Sequence, residues 1–212
     1  MGNQFLRPFI FLILFTIASQ TFAQKSGNWA ETKCGIRAGM NFNSMAGLTD
    51  FTANLKVGYS AGLIMNFRSS KRLSSTQEVL FTNKGFAFKF SDGREFLYNI
   101  YYIDIPWTIN YHINNNFTLY GGLQASILLD ATTNIPIPDE NKTSYARDGL
   151  SKIDLGFVVG TEYCLPSNIF FGLRFTRGIY SAFSSNESKF NNYNFLLSAG
   201  YYFYRKKGNV FD

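Results

Sequence analysis

The amino-acid sequence predicts an all-β protein, an eight-stranded antiparallel up-and-down transmembrane β-barrel with short periplasmic turns and longer outer loops. In the stretch 96–113, apolar and polar side chains alternate with a period of two, as they do in a strand with two different faces. The same alternation recurs through most of the remaining chain. The composition is rich in aromatic residues and glycine, with 23 Phe, 13 Tyr and 18 Gly. No stretch after residue 23 approaches the ~18 consecutive apolar residues of a membrane-spanning helix.

The first 23 residues form a different kind of segment. One basic residue, Arg7, is followed by a largely apolar run over 9–18 and by small residues at Thr21 and Ala23. This order predicts a secretory signal peptide that is cleaved after Ala23. We therefore expect residues 24–212 to form a single barrel domain, exported to the outer membrane of a Gram-negative bacterium.

The first four predicted strands cover about 32–43, 53–67, 72–90 and 96–113. The second strand is the most regular, with apolar side chains at every odd position from Leu55 to Phe67. In the third strand the apolar positions shift by one residue around Lys84 and Gly85, which predicts a β-bulge there. Polar turns separate the second strand from the third and the third from the fourth.

The last four predicted strands cover about 117–129, 151–163, 169–179 and 193–203. Turns rich in Asn or Pro, at 114–116 and 164–168, precede the fifth and seventh strands. Longer polar segments, 130–150 and 181–192, precede the sixth and eighth. This alternation of short and long connections predicts tight turns on the periplasmic side and longer loops outside.

Two kinds of eight-stranded barrel fit the pattern, and they differ in which face lines the lumen. A soluble lipocalin-like barrel turns its apolar face inward around a ligand, whereas a membrane barrel turns that face toward lipid. The interior of an eight-stranded barrel is only just wide enough for side chains. Because Phe, Tyr, Leu and Ile crowd the apolar face and most glycines lie on the other, the sequence favours the polar face inside.

Nine charged residues fall on this predicted inner face. In a narrow lumen we expect them to pair, because an unpaired buried charge is costly. On a lipid-facing wall each basic residue at the midplane would cost about 2–4 kcal/mol. Their expected role is to pack the lumen and fix the register of the strands, which makes a wide channel improbable. The residues are Arg37, Lys56, Glu78, Lys84, Asp104, Lys152, Asp154, Glu162 and Arg174.

The charge and the cysteines exclude several classes of protein. The formal net charge is +6, and its basic residues are scattered, which suits contact with anionic headgroups of outer-membrane lipid and argues against nucleic acid. Cys34 and Cys164 are too few for a disulfide scaffold, and the sequence leaves open whether they are free or form one bridge. Neither has a second Cys or His at metal-ligand spacing, so we expect no metal and no cofactor.

A series of five segments runs through the chain. They are GIRAGMNF at 35–42, AGL at 61–63, EVLFTNKG at 78–85, YYIDIPW at 101–107 and LRFTRG at 173–178. The series resembles the PorT-like outer-membrane β-barrel proteins of Bacteroidota over nearly all of residues 24–212. The resemblance implies an eight-stranded outer-membrane barrel and brings no catalytic residues with it. One departure is that nine residues follow Phe203, the position expected to end the last strand.

Few residues offer chemistry. The single histidine, His112, falls at the periplasmic end of the fourth predicted strand, where a hydrogen-bonded structural role is expected. Asp139, Glu140 and Asp148 lie in the outer segment 130–150, but their spacing matches no calcium loop. A protein partner would most readily bind this segment, since outer loops vary freely over a rigid scaffold. Interfacial girdles are expected from Trp107, Tyr101, Tyr111, Tyr163, Tyr193 and Tyr201.

These observations predict a monomeric outer-membrane β-barrel with a structural or interaction role, a packed polar lumen and no catalysis. Two alternatives stay open at this point. One is a soluble lipocalin-like ligand-binding barrel, and the other is an outer-membrane lipid-modifying enzyme that depends on His112.

Overall fold

A computed structural model describes residues 31–46, 53–54, 56–89, 95–134, 150–179 and 191–206, which form antiparallel strands and their short turns. The predicted signal peptide lies outside these residues. Within them, no helix has the length and apolar character needed to cross a bilayer. The strands are β1 (Glu31–Ala46), β2 (Ala53–Asn54), β3 (Lys56–Arg68), β4 (Leu73–Lys89), β5 (Glu95–His112), β6 (Phe117–Thr133), β7 (Ile153–Cys164), β8 (Ile169–Gly178) and β9 (Asn191–Lys206).

The strands close into one barrel. Each long strand pairs with its neighbours in chain order, and β1 also pairs with β9, from Thr32↔Lys206 to Ala46↔Asn191. The two-residue β2 pairs with β4, as β3 does, so β2 and β3 share one of the eight places in the barrel wall. The prediction of an eight-stranded antiparallel up-and-down barrel is therefore confirmed.

Several strand boundaries differ from the prediction. β6 continues to Thr133, so the first part of the segment predicted as an outer loop is strand. β9 continues past Phe203 to Lys206 and stays paired with β1. β7 begins at Ile153 rather than at 151. The β1–β9 and β5–β6 ladders each contain one irregularity, next to Gly35 and Tyr102 respectively.

On one side of β4 the pairing shifts by one residue between Thr82, which pairs with Ser60, and Ala87, which pairs with Asn54, in the region of the bulge predicted at Lys84 and Gly85. The β4–β5 ladder on the other side keeps one register from Leu73 to Lys89. Phe86 therefore faces the lumen and packs with Ile100 and Tyr102. The shift in the sequence pattern records an apolar cluster inside the barrel rather than a change of face. Gly85 has a φ of 134°, a conformation that residues with a Cβ rarely adopt.

The two faces of the wall are chemically opposite. In β3 and β8, buried and exposed residues alternate along the strand, and the exposed ones are mainly apolar. The exposed apolar residues of β7 run from Ile153 to Tyr163. At ~3.3 Å per residue and a tilt of ~40°, these ten steps span about 25 Å, the height of the apolar band of a membrane barrel. The apolar face therefore lies outside, which excludes the lipocalin-like alternative.

The aromatic residues predicted to form girdles lie on this outer face. Tyr111, Tyr163 and Tyr201 are exposed toward the end with the short turns. Trp107 lies two outward-facing positions further along β5 from Tyr111, toward the middle of the wall. Tyr101 and Tyr193 lie toward the opposite end, where Tyr101 stacks on Phe81 with 5.9 Å between ring centroids.

Inward-facing aromatic rings fit because glycines face them. The Phe170 ring lies over Gly200, where an added Cβ would be 2.1 Å from the ring. Tyr120 lies over Gly160 in the same way, with 2.5 Å to its Cζ and hydroxyl. Gly121, in contrast, faces outward, and the atom nearest to an added Cβ is 3.6 Å away. Glycine is therefore a steric requirement on the inner face and not on the outer one.

This contrast gives a matched pair of substitutions. Gly160→Val should destabilise the barrel by about 1–3 kcal/mol, because the new side chain overlaps Tyr120 in a packed interior. Gly121→Val, one strand away, should change stability by less than about 0.5 kcal/mol. Urea unfolding of both variants in detergent micelles, followed by tryptophan fluorescence, measures the difference. Equal losses in both variants would show that the inner face is not sterically limited.

Candidate functional site

Four charged residues meet near the middle of the lumen and form what we call the central network: Arg37 of β1, Glu78 of β4, Glu162 of β7 and Arg174 of β8. Glu78 is shared by the two arginines, with Oε1 2.6 Å from Arg174 Nη2 and Oε2 3.4 Å from Arg37 Nε. Arg37 Nη2 also donates to Glu162 Oε2 at 2.7 Å. Arg37, Glu78 and Arg174 are almost fully buried. The charges of four wall strands thus neutralise one another across the lumen.

Neighbouring polar and aromatic groups complete the central network. Arg37 Nη1 donates to Ser198 Oγ at 2.9 Å, and its guanidinium lies 4.8 Å from the centre of the Phe170 ring. Arg174 Nε donates to the Tyr120 hydroxyl at 3.3 Å, and the Tyr202 hydroxyl donates to Glu162 Oε1 at 3.1 Å. Because guanidinium groups bind carboxylates and stack on rings, each arginine spans the lumen between two walls.

A second network lies on the side of the long connections. Lys84 Nζ contacts Asp104 Oδ1 at 2.8 Å and Ser126 Oγ at 3.2 Å, and it lies 4.9 Å from the centre of the Tyr102 ring. Lys56 Nζ donates to Asn83 Oδ1 and to the Lys84 carbonyl, both at 2.9 Å. Lys84 is therefore ion-paired with Asp104, and Lys56 is hydrogen-bonded to two uncharged acceptors, on the inner side of the wall that β3 to β6 form.

A third cluster, at the short-turn end, surrounds His112. Ser74 Oγ accepts from the amides of Asn66 and Asn110 and lies 2.9 Å from His112 Nε2, while His112 Nδ1 lies 2.9 Å from Thr118 Oγ1. Since both lone pairs of the serine oxygen are taken, its proton goes to Nε2, and Nδ1 carries the ring proton toward Thr118. Both ring nitrogens are thus occupied by hydroxyl groups.

Two small cavities lie on opposite sides of the central network. One, of about 30 Å³, opens toward the short turns and is lined by residues that include Lys33, Asn66, His112 and Cys164. The other, of about 20 Å³, lies toward the long connections and is lined by residues that include Lys84, Asp154 and Asn194. Each has room for about one or two water molecules. Between them the side chains of the central network fill the lumen.

The structure brings eight of the nine predicted lumen residues inside the barrel and leaves one out. Seven of them belong to the two charged networks, and Asp154 lines the second cavity. The prediction that Lys152 faces the lumen is wrong, because its side chain is exposed and the residue precedes the first residue of β7. Its position followed from the assumed start of the sixth strand, two residues before the observed one.

The sequence reasoning missed the uncharged members of the networks. Tyr120, Phe170, Ser198 and Tyr202 all lie on the inner face, as alternation alone would place them. Their contacts with the two arginines depend on strand tilt and stagger, and no sequence signal reports those.

Neither cysteines nor metal ligands form a site in the described part of the chain. Cys34 and Cys164 do not form a disulfide, which answers the question that the sequence left open. No three His, Cys, Asp or Glu side chains group closely enough within the described ranges to hold a metal ion. Asp139, Glu140 and Asp148 lie outside the described residues.

The central network predicts a large effect of one conservative change. Glu78→Gln should lower the free energy of unfolding by about 3–5 kcal/mol, because it leaves two buried arginines with one carboxylate between them. Glu31→Gln is the control, since Glu31 pairs with Arg68 at 3.8 Å near the surface and should cost about 1 kcal/mol or less. Urea unfolding in detergent gives both values. A loss at Glu78 no larger than that at Glu31 would contradict the role of the network.

Comparisons with known proteins agree with this architecture. Residues 22–184 match the family described as outer membrane protein beta-barrel domain. No curated protein matched the sequence. Two solved structures share the fold. Ail, the attachment invasion locus protein of Yersinia pestis, in complex with the heparin analogue sucrose octasulfate, is 16% identical with a TM-score of 0.53, covering 82% of this chain and 99% of its own. Neisserial surface protein A is 13% identical with a TM-score of 0.53, covering 80% and 97%.

The family match spans most of the chain, and the closed barrel carries its apolar face outside and its charges paired inside. The protein belongs to the family of outer membrane protein beta-barrel domains.

Proposed function

We propose that this protein is a monomeric, closed scaffold of the outer membrane, whose lumen is filled and whose outer connections bind a protein partner. The central network is the observation that carries the proposal. Three of its charged side chains are almost fully buried and connect four strands across the lumen. With one water-sized cavity on each side of it, the lumen that the described strands enclose has no room for a solute.

A non-catalytic role fits the surroundings of His112. The histidine contacts Ser74 and Thr118 and has no carboxylate bonded to either ring nitrogen. A serine activated for hydrolysis needs a base that a third group orients, and it needs access to substrate. Ser74 is only 3% exposed, and its oxygen already accepts two hydrogen bonds from the side-chain amides of Asn66 and Asn110. We therefore propose that this cluster is structural, which argues against the lipid-modifying alternative.

The resemblance of five segments to the PorT-like proteins supports a narrower family assignment. We propose that the protein is PorT-like and comes from a member of the Bacteroidota, and that residues 1–23 are a signal peptide removed on export. The family match begins at residue 22, beside the proposed cleavage after Ala23, which supports the division into leader and barrel. All five resembling segments fall in strands that contribute to the lumen networks, namely β1, β3, β4, β5 and β8.

The closed lumen can be tested by conductance. In planar bilayers the wild-type protein should give no steady ion current. A triple variant, Arg37→Ser, Glu78→Ser and Arg174→Ser, should conduct, because it removes both signs of charge together with the side chains that fill the centre. A shift in gel mobility between unboiled and boiled samples shows that each protein is folded. Steady conductance of the folded wild-type protein would overturn the closed-scaffold proposal.

The interaction role can be tested at the outer side. Replacing residues 138–146 with a Gly/Ser segment of the same length should abolish cross-linking of a partner protein in intact envelopes, while the folded barrel stays in the outer membrane. Replacing the short turn at Asn114–Asn116 with Gly/Ser residues is the control and should leave cross-linking unchanged. If the first replacement leaves the cross-linked partner in place, the partner does not bind through this segment.

A further inference from the structure

The rim at the short-turn end is electrostatically one-sided. The ends of β9, β1, β3 and β4 lie side by side there, and this side carries five basic residues, which we call the basic arc: Arg68, Lys71, Arg72, Arg205 and Lys206. The only acidic residue among the described positions of this arc is Glu31. The other half of the rim, at 112–118 and 163–170, contains no Lys, Arg, Asp or Glu. A general requirement for solubility would not concentrate the charge on one half.

The β3–β4 turn holds part of this charge in a fixed geometry. The backbone N–H groups of Ser69 and Ser70 both donate to the Leu73 carbonyl, and Ser70 Oγ accepts from the N–H of Arg72 and of Leu73. Arg68 folds back over the turn, where it donates to the carbonyls of Ser70 and Lys71 and pairs with Glu31. Arg68 thus organises the turn, while Lys71 and Arg72 are exposed.

Arg72 lies at the boundary between the turn and the lipid-facing wall. Its Nη1 donates to the Tyr111 hydroxyl at 3.2 Å, and Leu73 is paired with Tyr111 across the β4–β5 ladder. Leu73 and Tyr111 are both outward and exposed. A cationic group thus lies directly beside an apolar strip, at the depth where lipid headgroups meet acyl chains.

We propose that the basic arc binds anionic phospholipid of the periplasmic leaflet, with the phosphate at Lys71 and Arg72 and the acyl chains on the apolar strip beside them. Arginine and lysine at a membrane interface attract anionic headgroups. The adjoining strip favours a lipid over a free anion, because a free anion would make no use of Leu73 and Tyr111. It also favours a lipid over a soluble acidic protein, which would not contact the bilayer-covered wall.

The test uses the full barrel reconstituted in vesicles of phosphatidylcholine that contain a minority of phosphatidylglycerol. After mild detergent extraction, mass spectrometry measures the phosphatidylglycerol retained relative to the bulk mixture. The wild-type protein should be enriched in it, and Lys71→Gln with Arg72→Gln should lower the enrichment by at least roughly fivefold. Lys71→Gln alone, which leaves the Arg72–Tyr111 contact intact, should give a smaller loss of the same kind.

Two control proteins separate charge from structure. Lys152→Gln with Arg177→Gln removes the same number of exposed charges at the opposite end and should leave the enrichment unchanged. Tyr111→Phe removes the hydrogen bond to Arg72 but no charge, and should retain most of the enrichment. Gel mobility before and after boiling establishes that each variant is folded.

Several results would overturn the proposal. They are no enrichment in the wild-type protein, an equal loss in the opposite-end control, or release of the lipid by inorganic phosphate at a comparable concentration. Release by a poly-glutamate peptide would instead assign the arc to an acidic protein. None of these results bears on conductance or on the outer connections, so they are independent of the closed-scaffold proposal.

Discussion

The pairing of the first strand with the last determines the rest of this structure. In the hydrocarbon of a bilayer no water is present to bond a free N–H or C=O group, so a sheet can span it only when it has no edge. The β1–β9 ladder removes that edge over fifteen residue pairs, between segments at opposite ends of the chain. Closure with eight strand places also sets the width of the lumen, and the steric and electrostatic properties of the interior follow from that width.

The narrow lumen explains why charged residues are retained inside it. A buried ion pair often contributes little net stability, because desolvation of both groups offsets their attraction. A buried ion pair nevertheless strongly destabilises a barrel whose strands pair in the wrong register, because it leaves a charge without its partner. A slip of β4 by one residue would move Glu78 to the lipid face, which would remove the carboxylate partner of Arg174 and leave Arg37 with Glu162 alone. The central network connects strands that are not neighbours, so it specifies register across the barrel where backbone ladders specify it only between adjacent strands.

Only those properties of a barrel that depend on neighbouring residues of one strand can be predicted from its sequence. The alternation of side chains is a local property, so the strand number, the inner and outer faces and the apolar exterior could all be predicted. Strand ends and pairings across the lumen are not local. Lys152 was placed in the wall because its parity matched, although β7 starts at the next residue. The contact of Arg37 with Glu162 joins residues 125 positions apart and depends on the tilt and stagger of several strands.

Phe86 shows a second limit of alternation. An apolar residue at a position expected to be polar suggests a change of face in the strand. Here β4 keeps one register with β5, and the Phe86 ring packs inside the barrel against Ile100 and Tyr102. Periodicity reports the average chemistry of a face, and the lumen is polar in its middle but apolar near the long connections. Only the position of a residue along the barrel axis distinguishes the two cases.

A filled centre has a consequence for where this barrel can act. Because the central network separates the two cavities, a ligand that entered from one end would meet buried, paired charges before reaching the other. The two rims are therefore chemically independent surfaces on one rigid wall. At the short-turn rim, the basic residues are concentrated on the β9–β1–β3–β4 side, so the two halves of that rim differ in their attraction for anionic groups.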